Sequence, residues 1–315
     1  MGSVFLDAEG LGDCQLDELQ QVCDGLQMYQ YTPAEKVSSR IAAAELVIVN
    51  KTRMTREILA ASPELKLICV VATGTDCIDL QAAQELGITV CNCQAYGTDS
   101  VVQHVFANIL ALHTSLFQYR GAVRAGRWQQ ASQFCFLDYP ITELKGKLLG
   151  IVGFGNLGKG VAAIAEAFGM QVVVAARPGS TGDVRPTLDD LLPQVDVLTL
   201  HCPLNEHTRG LIGNRELALM KPTAFLINAA RGGIVDEVAL VEGLRNGIIR
   251  GAAVDVLTVE PPKEGNPLLE AELPNLIVTP HIAWASAEAR QRLIDQTVEN
   301  IRSWRAGASV RVVQA

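Results

Sequence analysis

The sequence predicts an α/β protein made of two doubly wound parallel sheets, and three observations carry that expectation. Short β-branched runs alternate with amphipathic stretches along the whole chain, as in parallel sheets with helices on both faces. The runs fall into two series, with a long apolar stretch near residue 100 at their boundary. At 315 residues the chain also exceeds the size at which one hydrophobic core usually stops growing.

In the first series the strand-like runs are 4–6, 46–49, 67–71 and 88–91, and segments 35–44 and 55–61 carry apolar residues at helical spacing. Residues 100–116 read as one long apolar helix. After it, 118–147 reads as irregular, with Gly121, Gly126, Trp128, Phe134, Phe136 and Pro140. That aromatic segment suits either a surface buried by a second subunit or a loop packed on its own domain. The second series is 148–152, 172–175, 197–200, 224–227, 252–256 and 276–278, joined by helices that are apolar on one side, as at Val161, Ile164, Ala165 and Phe168. A last helix, 287–306, is expected to cross back and cover the first domain. The expected division is therefore 1–99 plus 287–315 against 100–286, with a hinge at the two crossings.

Composition narrows the function classes. A net charge of -8 without any Lys/Arg cluster argues against nucleic-acid or membrane-surface partners. No apolar stretch is long enough to span a bilayer, the first residues lack a secretion signal, and Leu6 stands where myristoylation would need Ser or Thr. The eight cysteines form no CxxC pair, so free thiols in a reducing cytoplasm are expected. Cys91 and Cys93 would point the same way from a strand, but no metal is expected.

Gly153-Phe154-Gly155-Asn156-Leu157-Gly158 is a G-x-G-x-x-G that follows a strand, opens a helix and is followed by another strand within a βαβ unit. Gly153 permits the tight turn, Gly155 lets a pyrophosphate approach the backbone, and Gly158 lets helix and strand pack closely. The helix N-terminus offers free N–H groups and partial positive charge to phosphates. A glycine-rich turn without a ligand is the alternative. The next strand leads into Ala175-Ala176-Arg177-Pro178, with no carboxylate to hold the ribose hydroxyls of NAD. Arg177 instead suits a 2′-phosphate, so NADP(H) is favoured and NAD(H) is the alternative, Arg177 then merely stacking on adenine.

Three further motifs follow later strands: Ile227-Asn228-Ala229-Ala230-Arg231-Gly232-Gly233-Ile234-Val235-Asp236-Glu237, then Ala253-Val254-Asp255-Val256-Leu257-Thr258-Val259-Glu260-Pro261, then Thr279-Pro280-His281-Ile282-Ala283-Trp284. With the glycine loop, these resemble the D-isomer-specific 2-hydroxyacid dehydrogenases over nearly the whole chain, most of all the bacterial glycerate dehydrogenases, or hydroxypyruvate (glyoxylate) reductases. The resemblance implies two Rossmann-like domains, a dinucleotide-binding one and a smaller flavodoxin-like substrate domain, in a cytoplasmic homodimer. It implies that Arg231 holds a 2-keto acid, that His281 donates a proton to the carbonyl oxygen, and that Glu260 orients the imidazole and favours its protonated form. Singly, each residue also has a plain reading: an ion-pair partner, a helix N-cap and a loop carboxylate.

Softer matches extend the site. Asp255 aligns with an acidic residue by the nicotinamide, and Ala229, Ala230 and Ala283 flank the motifs along the cofactor. Cys202, Pro203 and Thr208 fall in the family's H-x-P-L stretch, and Thr98 and Ser100 at its interdomain hinge. Thr73-Gly74-Thr75 resembles a loop whose amides hold the substrate carboxylate, an ordinary strand-end turn being the alternative. Lys51 lies near the same cleft by analogy or in a solvated loop. Trp284 either walls the pocket or packs at the domain junction. Two rival functions remain: phosphite oxidation with the same triad, and a nicotinamide-sensing co-repressor, which should bring long partner-binding tails.

Overall fold

Two parallel sheets account for the two series of apolar runs. The computed structural model describes residues 2–314. It divides into one unit formed by the chain up to Gly97 together with the chain from Ala285 onward, and a second unit, Thr98–Trp284.

The first unit runs β1 (Gly2–Phe5), α1 (Asp17–Cys23), β2 (Leu26–Met28), α2 (Val37–Ile41), β3 (Ala44–Val49), α3 (Arg56–Ala60), β4 (Leu67–Val70), α4 (Leu80–Glu85) and β5 (Thr89–Cys91). Its strands pair in parallel in the order β2-β1-β3-β4-β5, which is the flavodoxin-like order. β3 and β4 are covered on both faces, so Leu46-Val47-Ile48-Val49 and Leu67-Ile68-Cys69-Val70 are continuously apolar rather than alternating. β2 was not expected. It has three residues, none of them β-branched, and lies on the sheet's edge.

The second unit runs α5 (Thr98–His113), α6 (Leu116–Arg124), β6 (Leu148–Val152), α7 (Asn156–Ala167), β7 (Gln171–Val174), α8 (Leu188–Leu191), β8 (Val197–Leu200), α9 (Asn214–Leu219), β9 (Phe225–Asn228), α10 (Glu237–Arg245), β10 (Gly251–Val254), α11 (Pro267–Glu270) and β11 (Leu276–Val278). The sheet order is β11-β10-β9-β8-β6-β7, parallel throughout. Because β7 and β8 leave β6 on opposite sides, the carboxyl end of β6 is the switch point where such sheets take ligands. The expected long helix stops early, at His113; Ser115 adopts a left-handed φ of 49° and α6 begins one residue later. α6 buries no residue, so it has no apolar stripe to announce it in a segment that reads as irregular.

The chain re-enters the first unit as α12 (Ala287–Arg305). Leu293, Ile294, Val298 and Ile301 on this helix are buried, and Ile294, Val298 and Ile301 join the core formed by Phe5, Leu19, Ile48 and Cys69. The following residues close the β5 edge: Asn92 N–H donates to Arg311 O at 3.2 Å and Val313 N–H to Val90 O at 2.8 Å. An edge covered in this way offers no unpaired strand to another chain. Among the described residues, no single helix is long and apolar enough to cross a membrane.

Candidate active site

The glycine loop sits at the carboxyl end of β6. Gly153 has φ +94°, and a Cβ there would meet Cys202 N at 2.6 Å and His201 O at 2.7 Å, so only glycine lets this turn pass the end of β8. Gly158, in the first turn of α7, lies against the Gly153 carbonyl. Gly155 is the N-cap of α7, no side chain caps the helix, and nothing lies within 4 Å of where its Cβ would be. Asn156 and Leu157 therefore open α7 with no side-chain cap on the helix, beside an open approach at Gly155, which fits an anionic pyrophosphate. Thr98, on α5, lies beside the same helix: a Cβ on Gly160 would meet Val102 at 2.7 Å and Thr98 at 3.4 Å. Ser100 Oγ donates to Ala283 O at 2.7 Å.

Beyond β7, Ala176 N–H donates to Pro186 O at 2.8 Å, and Arg177 N–H to Asp183 Oδ2 at 2.9 Å. The Arg177 side chain is exposed. Beyond β8, the Cys202 thiol is buried and pushed up to about 11 by desolvation. Thr208 closes the following loop, its Oγ1 donating to Pro203 O at 2.6 Å and accepting from Asn205 N–H at 2.8 Å. All these residues lie on the carboxyl side of the sheet.

Arg231 leaves the end of β9 in a turn organised by Asn228, whose Oδ1 accepts from Ala230 N–H (3.1 Å) and whose Nδ2 donates to Arg231 O (3.0 Å). Ala229 is half-buried and Ala230 buried within this turn. The Arg231 guanidinium, half-buried, donates to Ala230 O at 2.8 Å. Gly232 is pressed against the backbone of Leu257 and Thr258, leaving no room for a Cβ. That contact ties the arginine turn to the loop that carries Glu260. Glu260 Oε1 accepts from Leu257 N–H at 2.8 Å, and its Oε2 lies 2.6 Å from His281 Nδ1. Both side chains are about one-third exposed.

His281 has a left-handed φ of 55°, a conformation unfavourable for a side chain larger than glycine. Asp255, at the end of β10 and buried, holds the loop in that shape. Its carbonyl accepts from His281 N–H (2.8 Å), and its carboxylate accepts from Thr279 Oγ1 (2.5 Å), Ile282 N–H (3.0 Å) and Ala283 N–H (2.9 Å). His104 Nε2, on α5, lies 3.2 Å from Thr279 Oγ1. The Trp284 indole donates to His281 O at 3.0 Å, and its ring packs against the core around Phe106, Ile109 and Ala283.

The remaining expected residues belong to the first unit. Lys51 is exposed, in a turn clamped by Asp7: the carboxylate of Asp7 accepts from the backbone N–H groups of Asn50 (2.7 Å), Lys51 (2.6 Å) and Thr52 (2.8 Å). Thr73 Oγ1 donates to Cys93 O (2.9 Å) and Thr75 O accepts from Ile78 N–H (2.9 Å), leaving Gly74 half-exposed between them.

Two further carboxylates brace loops that carry the expected residues. One is Asp7. The other is Glu237, whose oxygens accept from Thr258 N–H (2.7 Å) and Asn266 Nδ2 (2.8 Å), so it braces the Glu260 loop from the first turn of α10. Glu237 was inside a recognised motif; Asp7 had no local signal beyond standing after a strand.

Comparison with known proteins places this geometry among relatives. A model of the family described as D-isomer specific 2-hydroxyacid dehydrogenase, NAD binding domain, matches residues 106–283. The chain is 45% identical to a glycerate dehydrogenase of Methylorubrum extorquens over 312 residues, covering 99% of this chain and 98% of that protein. It is 38% identical to a hydroxypyruvate reductase of Blautia hydrogenotrophica, covering 97% and 93%. Among solved structures it is similar to an NADPH-dependent glyoxylate/hydroxypyruvate reductase of Sinorhizobium meliloti in complex with NADP and malonate (TM-score 0.82, 26% identity, covering 99% and 96%).

Proposed function

The chain belongs to the D-isomer-specific 2-hydroxyacid dehydrogenases, and we propose that within this family it reduces hydroxypyruvate and glyoxylate, to D-glycerate and glycolate, with NADP(H) favoured. It is an oxidoreductase that transfers hydride between a nicotinamide dinucleotide and a 2-keto acid.

The contact between His281 and Glu260 carries the mechanistic reading. With Nδ1 engaged by the carboxylate, the imidazole presents Nε2 as the atom that gives a proton to the substrate carbonyl oxygen. Glu260 stabilises the ring's positive charge and fixes its direction, and is itself fixed by Leu257 N–H. Arg231 offers a planar fork of donors to the carboxylate and carbonyl oxygens of the keto acid. The nicotinamide, when bound, supplies the hydride. Residues 153–158 would hold its pyrophosphate, and Asp255 would lie by its carboxamide. In the first unit, the amides around Gly74 would take the substrate carboxylate, with Lys51 nearby; that unit serves as the substrate domain. Arg177, with no acidic residue at position 176, is what favours NADP(H).

The same reading includes a homodimer and a cytoplasmic location. Leu116, Phe117, Trp128, Phe134, Leu137 and Ile141 are large, apolar and at least half exposed, which suits burial by a second copy of the chain. Eight free cysteines suit a reducing compartment.

Initial rates with hydroxypyruvate, glyoxylate, pyruvate and phenylpyruvate, using NADPH and NADH beside an Arg231→Ala control, test the proposal. Turnover of hydroxypyruvate or glyoxylate that the control lacks supports it. Preference for pyruvate or phenylpyruvate would reassign the substrate, and a smaller KM for NADH would reverse the cofactor. No turnover of any acid, with cofactor bound, would redirect attention to phosphite oxidation or to a nicotinamide-sensing binding role.

A further inference from the structure

Where β7 ends, the chain makes a tight turn over Arg177-Pro178-Gly179-Ser180. Ser180 N–H donates to Arg177 O at 3.0 Å, proline occupies the second position and Gly179 has φ +76°, the arrangement of a type II turn. In a dinucleotide-binding sheet this is where the adenosine ribose is read, so the charges around the turn decide which nicotinamide it accepts.

An acidic residue does stand here in space, although not in the expected sequence position. It is Asp183, and its acceptors are already engaged. It accepts from Arg177 N–H (2.9 Å), Arg185 N–H (3.1 Å), Arg185 Nε (2.9 Å) and Arg185 Nη2. The Arg185 guanidinium and these amides hold its carboxyl well below the usual carboxylate range. Asp183 is thus committed to shaping the turn, and Arg185 is neutralised by it. The Arg177 guanidinium makes no ion pair with a described residue and remains a free cation on the turn.

A second basic group reaches the same turn from a different strand. In the loop after β8, the His207 ring lies over Gly179, where a Cβ would meet the ring's Cγ at 2.5 Å and its Cδ2 and Nδ1 at 2.7 Å. His207 N–H donates to Asn205 Oδ1 at 2.9 Å, which anchors its backbone. The side chain is half exposed, and its one charged neighbour in contact is Glu206, 3.4 Å from Nε2 and itself largely in solvent. Glycine at 179 therefore does more than permit the turn: it lets an imidazole settle against it.

We propose that His207 and Arg177 together form the seat of the 2′-phosphate of NADP(H), which makes His207 a specificity-determining residue of this chain. The inference rests on the NADP(H) preference argued above. Arg177 contributes a permanent charge and a fork of donors; His207 contributes a further N–H donor from the loop after β8, and a second positive charge when protonated. A 2′-hydroxyl would find no acceptor in Asp183.

Dissociation constants for NADP⁺ and NAD⁺, and for the fragments 2′,5′-ADP and ADP, test this by calorimetry on the intact protein and on His207→Ala, His207→Gln, Arg177→Ala and Gly179→Ala. His207→Ala should reduce the NADP⁺/NAD⁺ affinity ratio and the 2′,5′-ADP/ADP ratio each by about tenfold. His207→Gln, which keeps a donor without charge, should recover part of the loss, and Gly179→Ala should imitate it by displacing the ring. Thermal melts of each variant identify any general loss of folding. If Arg177→Ala lowers both ratios while His207→Ala leaves them unchanged, the role of His207 is overturned and the NADP(H) reading survives. If the unaltered protein binds NAD⁺ more tightly and 2′,5′-ADP no better than ADP, the NADP(H) reading itself has failed.

Discussion

Replacing Asp255 by asparagine should loosen the His281 loop by an amount the structure allows to be worked out. The carboxylate accepts three hydrogen bonds, from Thr279 Oγ1, Ile282 N–H and Ala283 N–H, and is buried. Bonds to a charged acceptor contribute about 1.5–3 kcal/mol each. An asparagine keeps one oxygen, so whichever way the amide turns, its NH₂ confronts at least one donor, and the surviving bonds lose their charge assistance. The expected cost is about 2–4 kcal/mol. For a unit of this size each kcal/mol moves the melting temperature by about 2–4 °C, which predicts a fall of about 5–15 °C. His281 should suffer with it, because its left-handed backbone is held by the same residue. We expect kcat to fall at least about tenfold, with Thr279→Val, which removes one of the three bonds, showing roughly a third of the thermal effect. Differential scanning calorimetry and initial rates on the two variants give the answer. An Asp255→Asn protein melting within about 1 °C of the parent would refute the clamp. A lower melting temperature with unchanged kcat would refute its link to the histidine.

Other expectations concern separate parts of the molecule. Glu260→Gln should lower kcat by about 100-fold, because it removes the charge that accompanies proton transfer from His281; a change confined to KM would contradict that role. Burial pushes His201 and His113 down to about 4, from an ordinary value of 6.5. Both stay neutral in the folded chain while the unfolded chain takes up protons, so stability is lost as pH falls from 6.5 towards 4, by about 3 kcal/mol for each. Urea titrations across that range should show a shallower loss in His201→Gln, and parallel curves would exclude the effect. Finally, a Phe134→Asp, Leu137→Asp variant should run as a monomer by light scattering if the exposed segment joins two copies; an unchanged molecular mass would remove this surface from consideration.

Local chemistry was the legible part of the chain. The glycine loop, the Asn228–Arg231 turn and the Glu260–His281 pair each depend on residues close in sequence or on motifs at fixed strand ends, where backbone geometry dictates residue type. What escaped was of two kinds. β2 and α6 carry little patterning, one being too short and the other burying nothing. The clamps at Asp7 and Glu237 join partners through folded loops, and a carboxylate's sequence does not say which amides it will meet. The left-handed φ of His281 belongs with these, since histidine itself gives no sign of it.

The first unit's reliance on α12 and on the pairing of Val313 with Val90 has a consequence for biosynthesis. During translation the opening segment emerges long before residues 287–313, yet one face of its sheet, with Ile48, Leu67 and Cys69, has only α1 to cover it until they arrive. The second unit is contiguous, so it can complete its core without residues 287–313, whereas the first cannot. A chain ended at residue 286 and released should therefore resist protease across 98–284 and be cut within 2–97.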